Sequence, residues 1–108
     1  MMFNWFVNLF KAKDNSALIT AIKSEKAVVI DVRTKAEYGG GHVANSLNIP
    51  LNEISSNIEK IKKMNKTIIL CCASGNRSGQ ATRILKEKGL ENVYNGGSWS
   101  NVNHLKNQ

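Results

Sequence analysis

Only two cysteines occur in this 108-residue chain, and they are neighbours, Cys71 and Cys72. Adjacent cysteines cannot comfortably bridge each other, and with no third thiol a disulfide framework is excluded. This usage fits a reducing, cytoplasmic setting. Histidine is equally scarce: His42 and His104 are the two present, and with the paired cysteines they lack the ligand spacings of a metal site. Neither a metal nor another cofactor is expected. There is one proline, no low-complexity tract and no internal repeat, so nothing divides the chain into arrays.

Long apolar runs are missing as well. The most apolar stretch, Met1 to Phe10, is far shorter than the roughly 20 residues a bilayer span needs. It also lacks the basic leading region and small-residue cleavage site of a signal peptide. Two readings of this segment stand: a helix packed on the domain or in an oligomer contact, or a membrane-surface anchor in which Trp5 and the phenylalanines sit at an interface flanked by Lys11 and Lys13. Acidic residues are few, 8 against 15 Lys and Arg, for a net charge of +7. The lysines are scattered, densest at Lys60, Lys62 and Lys63, and no aromatics interleave with them. That pattern describes a solvated face with some pull on anionic substrates, and no nucleic acid is expected as a partner.

What is present is an ordinary globular composition, 42% hydrophobic and 21% charged, at the length of one common-sized domain. We divide it into an apolar N-terminal segment, residues 1–14, and a folded domain, residues 15–108. Asp14, Asn15 and Ser16 offer N-caps to a helix whose apolar face is Ala17, Leu18, Ala21 and Ile22. Ala27 to Arg33 reads as a buried parallel strand ending in charge. Leu47, Ile49 and Leu51 alternate as in a short strand, with Pro50 at its end or edge. Ile54, Ile58, Ile61 and Met64 recur at helical intervals over Asn52 to Met64. Val93-Tyr94-Asn95 is a short last strand, and Val102 and Leu105 continue a final helix.

The chain is organised around Ile68 to Gly79. An apolar, β-branched run ends in the two cysteines, a loop of small polar residues follows, and Gln80, Ala81, Ile84 and Leu85 then repeat at helical spacing. A thiol therefore stands where a strand ends and a helix begins, the end of an open α/β sheet at which ligands bind. The loop from Ala73 to Ser78 has little side-chain bulk, so its N–H groups can turn inward as an anion-binding nest. The helix N-terminus adds partial positive charge, and Arg77 adds a forked cation suited to oxyanions. An ordinary cysteine is only about 3% thiolate at pH 7, and lowering its pKa by ~1.5 units takes roughly 2 kcal/mol of preferential thiolate stabilisation. The helix end and the loop N–H groups are placed to supply it for Cys72. Cys72 is thus set up as a nucleophile.

Cys72-Ala73-Ser74-Gly75-Asn76-Arg77-Ser78 resembles the active-site loop of single-domain rhodaneses, thiosulfate-type sulfurtransferases. Three further stretches resemble the same family in the right order. They are Asp31-Val32-Arg33 with Glu37-Tyr38 and Gly41-His42-Val43; Asn45 to Leu51; and Asn95-Gly96-Gly97-Ser98-Trp99. The resemblance implies a rhodanese-like three-layer α/β fold, a five-stranded parallel sheet with helices on both faces. It also implies transfer of sulfane sulfur through a Cys72 persulfide, from thiosulfate or a related donor to cyanide, a thiol or a carrier-protein cysteine. Ala73, Ser74, Gly75, Asn76, Arg77 and Ser78 would bind the donor. Asp31 and Arg33 read as a structural pair at the strand end, and His42 as a supporting residue, since persulfide chemistry needs no base once the thiolate has formed. Where the family has one glycine, this chain has the run Gly39-Gly40-Gly41, whose purpose the sequence leaves open. The glycines after Asn95 would let that backbone pass close to the cysteine loop.

Two other chemistries stand beside this one. Five residues separate Cys71 from Arg77, the Cys-x5-Arg signature of phosphatases and of arsenate reductase-like enzymes on the related fold. Those enzymes usually carry histidine before the cysteine, where this chain has Leu70. The spacing from Cys72 is four, as in the sulfurtransferase loop, which leaves Cys71 as a small buried hydrophobe or a resolving thiol. Rhodanese-like domains also serve as non-catalytic docking or sensing modules.

Overall fold

The structure is a computed structural model that describes residues 16–108. The proposed N-terminal segment, with its two readings, and the caps Asp14 and Asn15 lie outside the described residues. Residues 16–22 are helical (α1). The chain continues as β1 (Ala27–Asp31), α2 (Lys35–Gly39), β2 (Leu47–Asn48), two 3-10 turns (Leu51–Glu53 and Ser55–Asn57), α3 (Ile58–Met64), β3 (Thr67–Cys72), α4 (Asn76–Glu87), β4 (Val93–Ser98) and α5 (Trp99–Lys106).

The strands form one parallel sheet in the order β2-β1-β3-β4. β1 and β3 lie in the middle, which is why both read as uninterrupted apolar runs: a central parallel strand is covered on both faces. Side chains alternate across the sheet. Ile68, Leu70 and Cys72 join Ile54, Ile58, Ile61, Ala81 and Leu85 in the core beneath α3 and α4. Ile69 and Cys71 join Ala21, Ile22 and Val102 in the opposite core, beneath α1 and α5. The three-layer α/β arrangement is therefore as expected, with helices on both faces.

The sheet has four strands among the described residues, not five. Among the described residues ahead of β1, 16–22 form α1, whose Ala21 and Ile22 are buried against the sheet. β2 is shorter than its alternating pattern suggested, because only Leu47 and Asn48 pair with β1, and Leu47 is exposed at the sheet edge. β4 is longer. It runs on through the glycines to Ser98, with an irregularity opposite Leu70 and Cys71 that takes up Gly96 as an extra residue. Gly96 has no room for a side chain, since a Cβ there would sit 2.6 Å from Val102 Cγ2 and 2.9 Å from Ile69 Cγ2.

Between Leu51 and Met64 the chain reaches its helix through two 3-10 turns. The apolar face foreseen there is kept, with Ile54, Ile58 and Ile61 all buried. Among the described residues no helix is long and apolar enough to cross a membrane.

Candidate active site

The C-terminal end of β3 meets the N-terminus of α4 at the loop 73–75. α4 begins without a side-chain cap, its N-cap being Gly75 in the left-handed conformation (φ 99°). A glycine suits this position twice over: the φ is unfavourable for other residues, and a Cβ would lie 3.3 Å from the Gly97 Cα. The second contact is the close approach of the β4 glycines to the cysteine loop.

The Cys72 sulfur takes the place of the missing cap. The Gly75 N–H donates to Cys72 Sγ at 3.0 Å and the Ser78 N–H at 3.4 Å, with the Ser78 hydroxyl also 3.4 Å away. Free N–H groups at a helix start favour an anion, and here the acceptor in front of them is a thiol. Burial on its own would raise the Cys72 pKa. Hydrogen bonds that the thiolate receives from the Ser78 hydroxyl and from the N–H groups of Ser78, Ser74 and Gly75 outweigh it and hold the Cys72 pKa below its ordinary value. Cys72 is 1% exposed, on the floor of the loop, while Ala73, Ser74 and Asn76 are exposed at its rim.

Cys71 is one residue away and chemically unlike it. It points into the opposite core, fully buried, and burial followed by the nearby Asp31 carboxylate pushes its thiol up to about 12. Both cysteines are free, and they sit on opposite faces of the strand.

Arg77 lies in the first turn of α4, half-buried, and its fork is occupied. Its Nη1 and Nη2 donate to the two carboxylate oxygens of Glu37 at 2.7 and 3.0 Å. Glu37 in turn accepts from the Thr34 N–H at 3.1 Å, while Thr34 Oγ1 accepts from the Glu37 N–H at 3.2 Å. This capping box starts α2 and aims the carboxylate at Arg77.

Asp31 and Arg33 do form a pair. The buried Asp31 carboxylate accepts from the Arg33 backbone N–H, from Nε and, at 2.7 Å, from Nη2. Arg33 Nη2 also donates to the Gly41 carbonyl at 2.7 Å, and the guanidinium lies 4.9 Å from the Trp99 ring centroid. Gly41, the last of the three glycines, takes a φ of 151° and passes Trp99 so closely that a Cβ would be 3.2 Å from its ring. The pair thus ties β1, the loop after α2 and the start of α5 together. His42 is exposed, stacks on Tyr38 at 3.8 Å between centroids, and donates from Nδ1 to the Tyr38 carbonyl at 2.7 Å.

Two further residues hold the site together. Glu37 is the acid of a capping box, Thr34-x-x-Glu37, a local sequence signal that marks where its helix and its carboxylate begin. Asn95, which opens the Asn95-Gly96-Gly97-Ser98-Trp99 stretch, hydrogen-bonds both Ser78 and Gly75, partners that its local sequence does not indicate.

The profile of the Rhodanese-like domain family matches residues 14–103. YqhL of Bacillus subtilis is 37% identical over 70 residues, 65% of this chain and 55% of its own length. The thiosulfate sulfurtransferase PspE of Escherichia coli is 38% identical over 74 residues, 68% of this chain and 71% of its own. Among solved structures, a rhodanese with anions from E. coli superposes with a TM-score of 0.65 at 36% identity, covering 69% of this chain and 89% of that one. The matched stretch therefore spans little more than half of one of these curated relatives and about 70% of the other.

Proposed function

The chain belongs to the rhodanese-like domain family, and on that premise we propose that it is a sulfurtransferase working through a persulfide on Cys72. One observation carries the reading: the Cys72 sulfur occupies the cap position of α4, where the Gly75 and Ser78 N–H groups favour its thiolate. In the proposed reaction the thiolate attacks the outer sulfur of thiosulfate or a related sulfane donor. The Cys72 sulfur bonds to that atom as its bond to the sulfite sulfur breaks, and sulfite leaves with the electron pair. An acceptor nucleophile such as cyanide, a thiol or a carrier-protein cysteine then takes the outer sulfur and returns Cys72 as thiolate, giving ping-pong kinetics. Ala73 to Ser78 form the cradle, in which Ser74 or Ser78 hydrogen-bonds the donor. Arg77 holds the donor's anionic end, with its charge partly offset by Glu37.

The placement of Cys71 in the opposite core, away from the loop N–H groups, and its raised pKa argue against a phosphatase or arsenate reductase reading, which needs that residue as the nucleophile. They argue equally against a resolving role. A reaction that consumes free thiolate suits a reducing compartment such as the cytoplasm.

Intact mass after incubation with thiosulfate tests the proposal. The expected result is a reducible gain of one sulfur that survives Cys71→Ser and disappears in Cys72→Ser. A gain that follows Cys71, or no gain in the folded protein, would overturn it.

A further inference from the structure

The Ser78 hydroxyl lies between two acceptors. Its Oγ is 2.7 Å from Asn95 Oδ1 and 3.4 Å from Cys72 Sγ. A hydroxyl has one proton and can give it to one partner at a time. The Asn95 amide is oriented from both sides: Nδ2 donates to the Gly75 carbonyl at 3.1 Å, and Oδ1 accepts from the Gly97 N–H at 3.0 Å. Oδ1 is therefore the atom facing Ser78, and over the shorter contact it takes the hydroxyl proton. Ser78 is left to offer a lone pair to Cys72, an arrangement that suits the thiol with S–H donating to Oγ. When Cys72 ionises, its proton passes to solvent and the Ser78 hydroxyl has to rotate from Asn95 to the thiolate. Asn95 Oδ1 keeps the Gly97 N–H, and no heavy atom need move.

We propose that Asn95 is a positioning residue that competes with Cys72 for the Ser78 proton and so sets how readily Cys72 ionises. The inference rests on Cys72 being the nucleophile. The fold makes room for the competition. Asn95 pairs in register with Leu70, on the Cys72 side of the sheet, and at the facing Gly79 a Cβ would come within 3.3 Å of Asn95 Nδ2. Among the described residues, the other titratable groups near Cys72 are paired or turned away. Arg77 on α4 is held by Glu37 of α2, and Asp31 and Arg33 hold each other at the end of β1. Cys71 on β3 and Tyr94 on β4 face the opposite core, and His104 on α5 is exposed.

The test is the rate of Cys72 alkylation by iodoacetamide as a function of pH, read by peptide mapping. Asn95→Leu removes the competing acceptor and frees the hydroxyl for the thiolate. Its profile should move to lower pH, with Cys72 reacting about three- to tenfold faster below the wild-type midpoint, the worth of one net hydrogen bond. In a Ser78→Ala background the same substitution should leave the profile in place. Asn95→Asp, which keeps the acceptor and adds negative charge, should move it to higher pH, and it carries the test if Asn95→Leu does not fold. An unmoved profile in Asn95→Leu or Asn95→Asp, or a shift that persists undiminished without the Ser78 hydroxyl, would overturn the inference. Alkylation needs no sulfur transfer, so a protein with these shifts and no persulfide would lose the proposed reaction and keep the Asn95 role.

Discussion

Glu37 closes on Arg77 with both carboxylate oxygens, at 2.7 and 3.0 Å, and so fastens α2 to the first turn of α4 beside the cysteine loop. The Arg77 hydrogen bonds, followed by the Thr34 N–H, hold the Glu37 carboxyl at about 2, below its ordinary 4.5. The folded state thus binds this proton less readily than the unfolded one. The contribution is complete above pH 4.5 and is lost as the pH falls towards 2. Glu37→Gln should flatten the acid limb of stability across that window, measured as urea midpoints at a series of pH values. An acid limb identical to wild type would show that the pair is idle.

The two thiols should separate by reactivity. With Cys72 held below an ordinary thiol and Cys71 pushed up to about 12, iodoacetamide at pH 8 should label Cys72 in the native protein. Cys71 should take label only after denaturation. Rapid native labelling of Cys71, located by peptide mapping, would contradict its buried placement.

Removing the Ser78 hydroxyl takes away the largest of the interactions that lower the Cys72 pKa, while the N–H donors stay. Ser78→Ala should therefore move the alkylation profile of Cys72 to higher pH, and it should lower the thermal midpoint by the worth of about one hydrogen bond, since the buried hydroxyl also donates to Asn95. The sign follows because the lost donor favours the charged form. A profile displaced to lower pH would refute this account of the thiolate.

Gly96 is a packing position. A methyl group there would sit 2.6 Å from Val102 Cγ2, with Ile69 on its other side, so α5 would have to shift from the sheet. Gly96→Ala should cost about 1–3 kcal/mol, the usual range for overpacking. Chemical denaturation measures it, and an unchanged midpoint would mean that α5 yields freely.

The strand, loop and helix around Cys72 were legible in sequence because each signal there is local. An uninterrupted β-branched run makes a central parallel strand, small residues make a nest, and helical spacing fixes where α4 begins. The two apolar sets that build the layers were legible for the same reason. Glycines depress strand propensity, so the sequence pattern ends β4 at Asn95, whereas pairing with β3 overrides that preference through a bulge and carries the strand to Ser98.

Other features exist only because the sheet order β2-β1-β3-β4 gathers distant segments at one end. Glu37 meets Arg77 across 40 positions and Asn95 meets Ser78 across 17, and no periodicity encodes either partner. The sequence by itself determined that a cysteine would stand at the mouth of a strand-to-helix loop, since local propensity and pattern suffice for that. Only the tertiary structure decided the rest: the core each thiol faces, how the arginine's charge is met, and the acceptor that shares the serine proton. Those depend on packing and electrostatics between elements far apart in the chain.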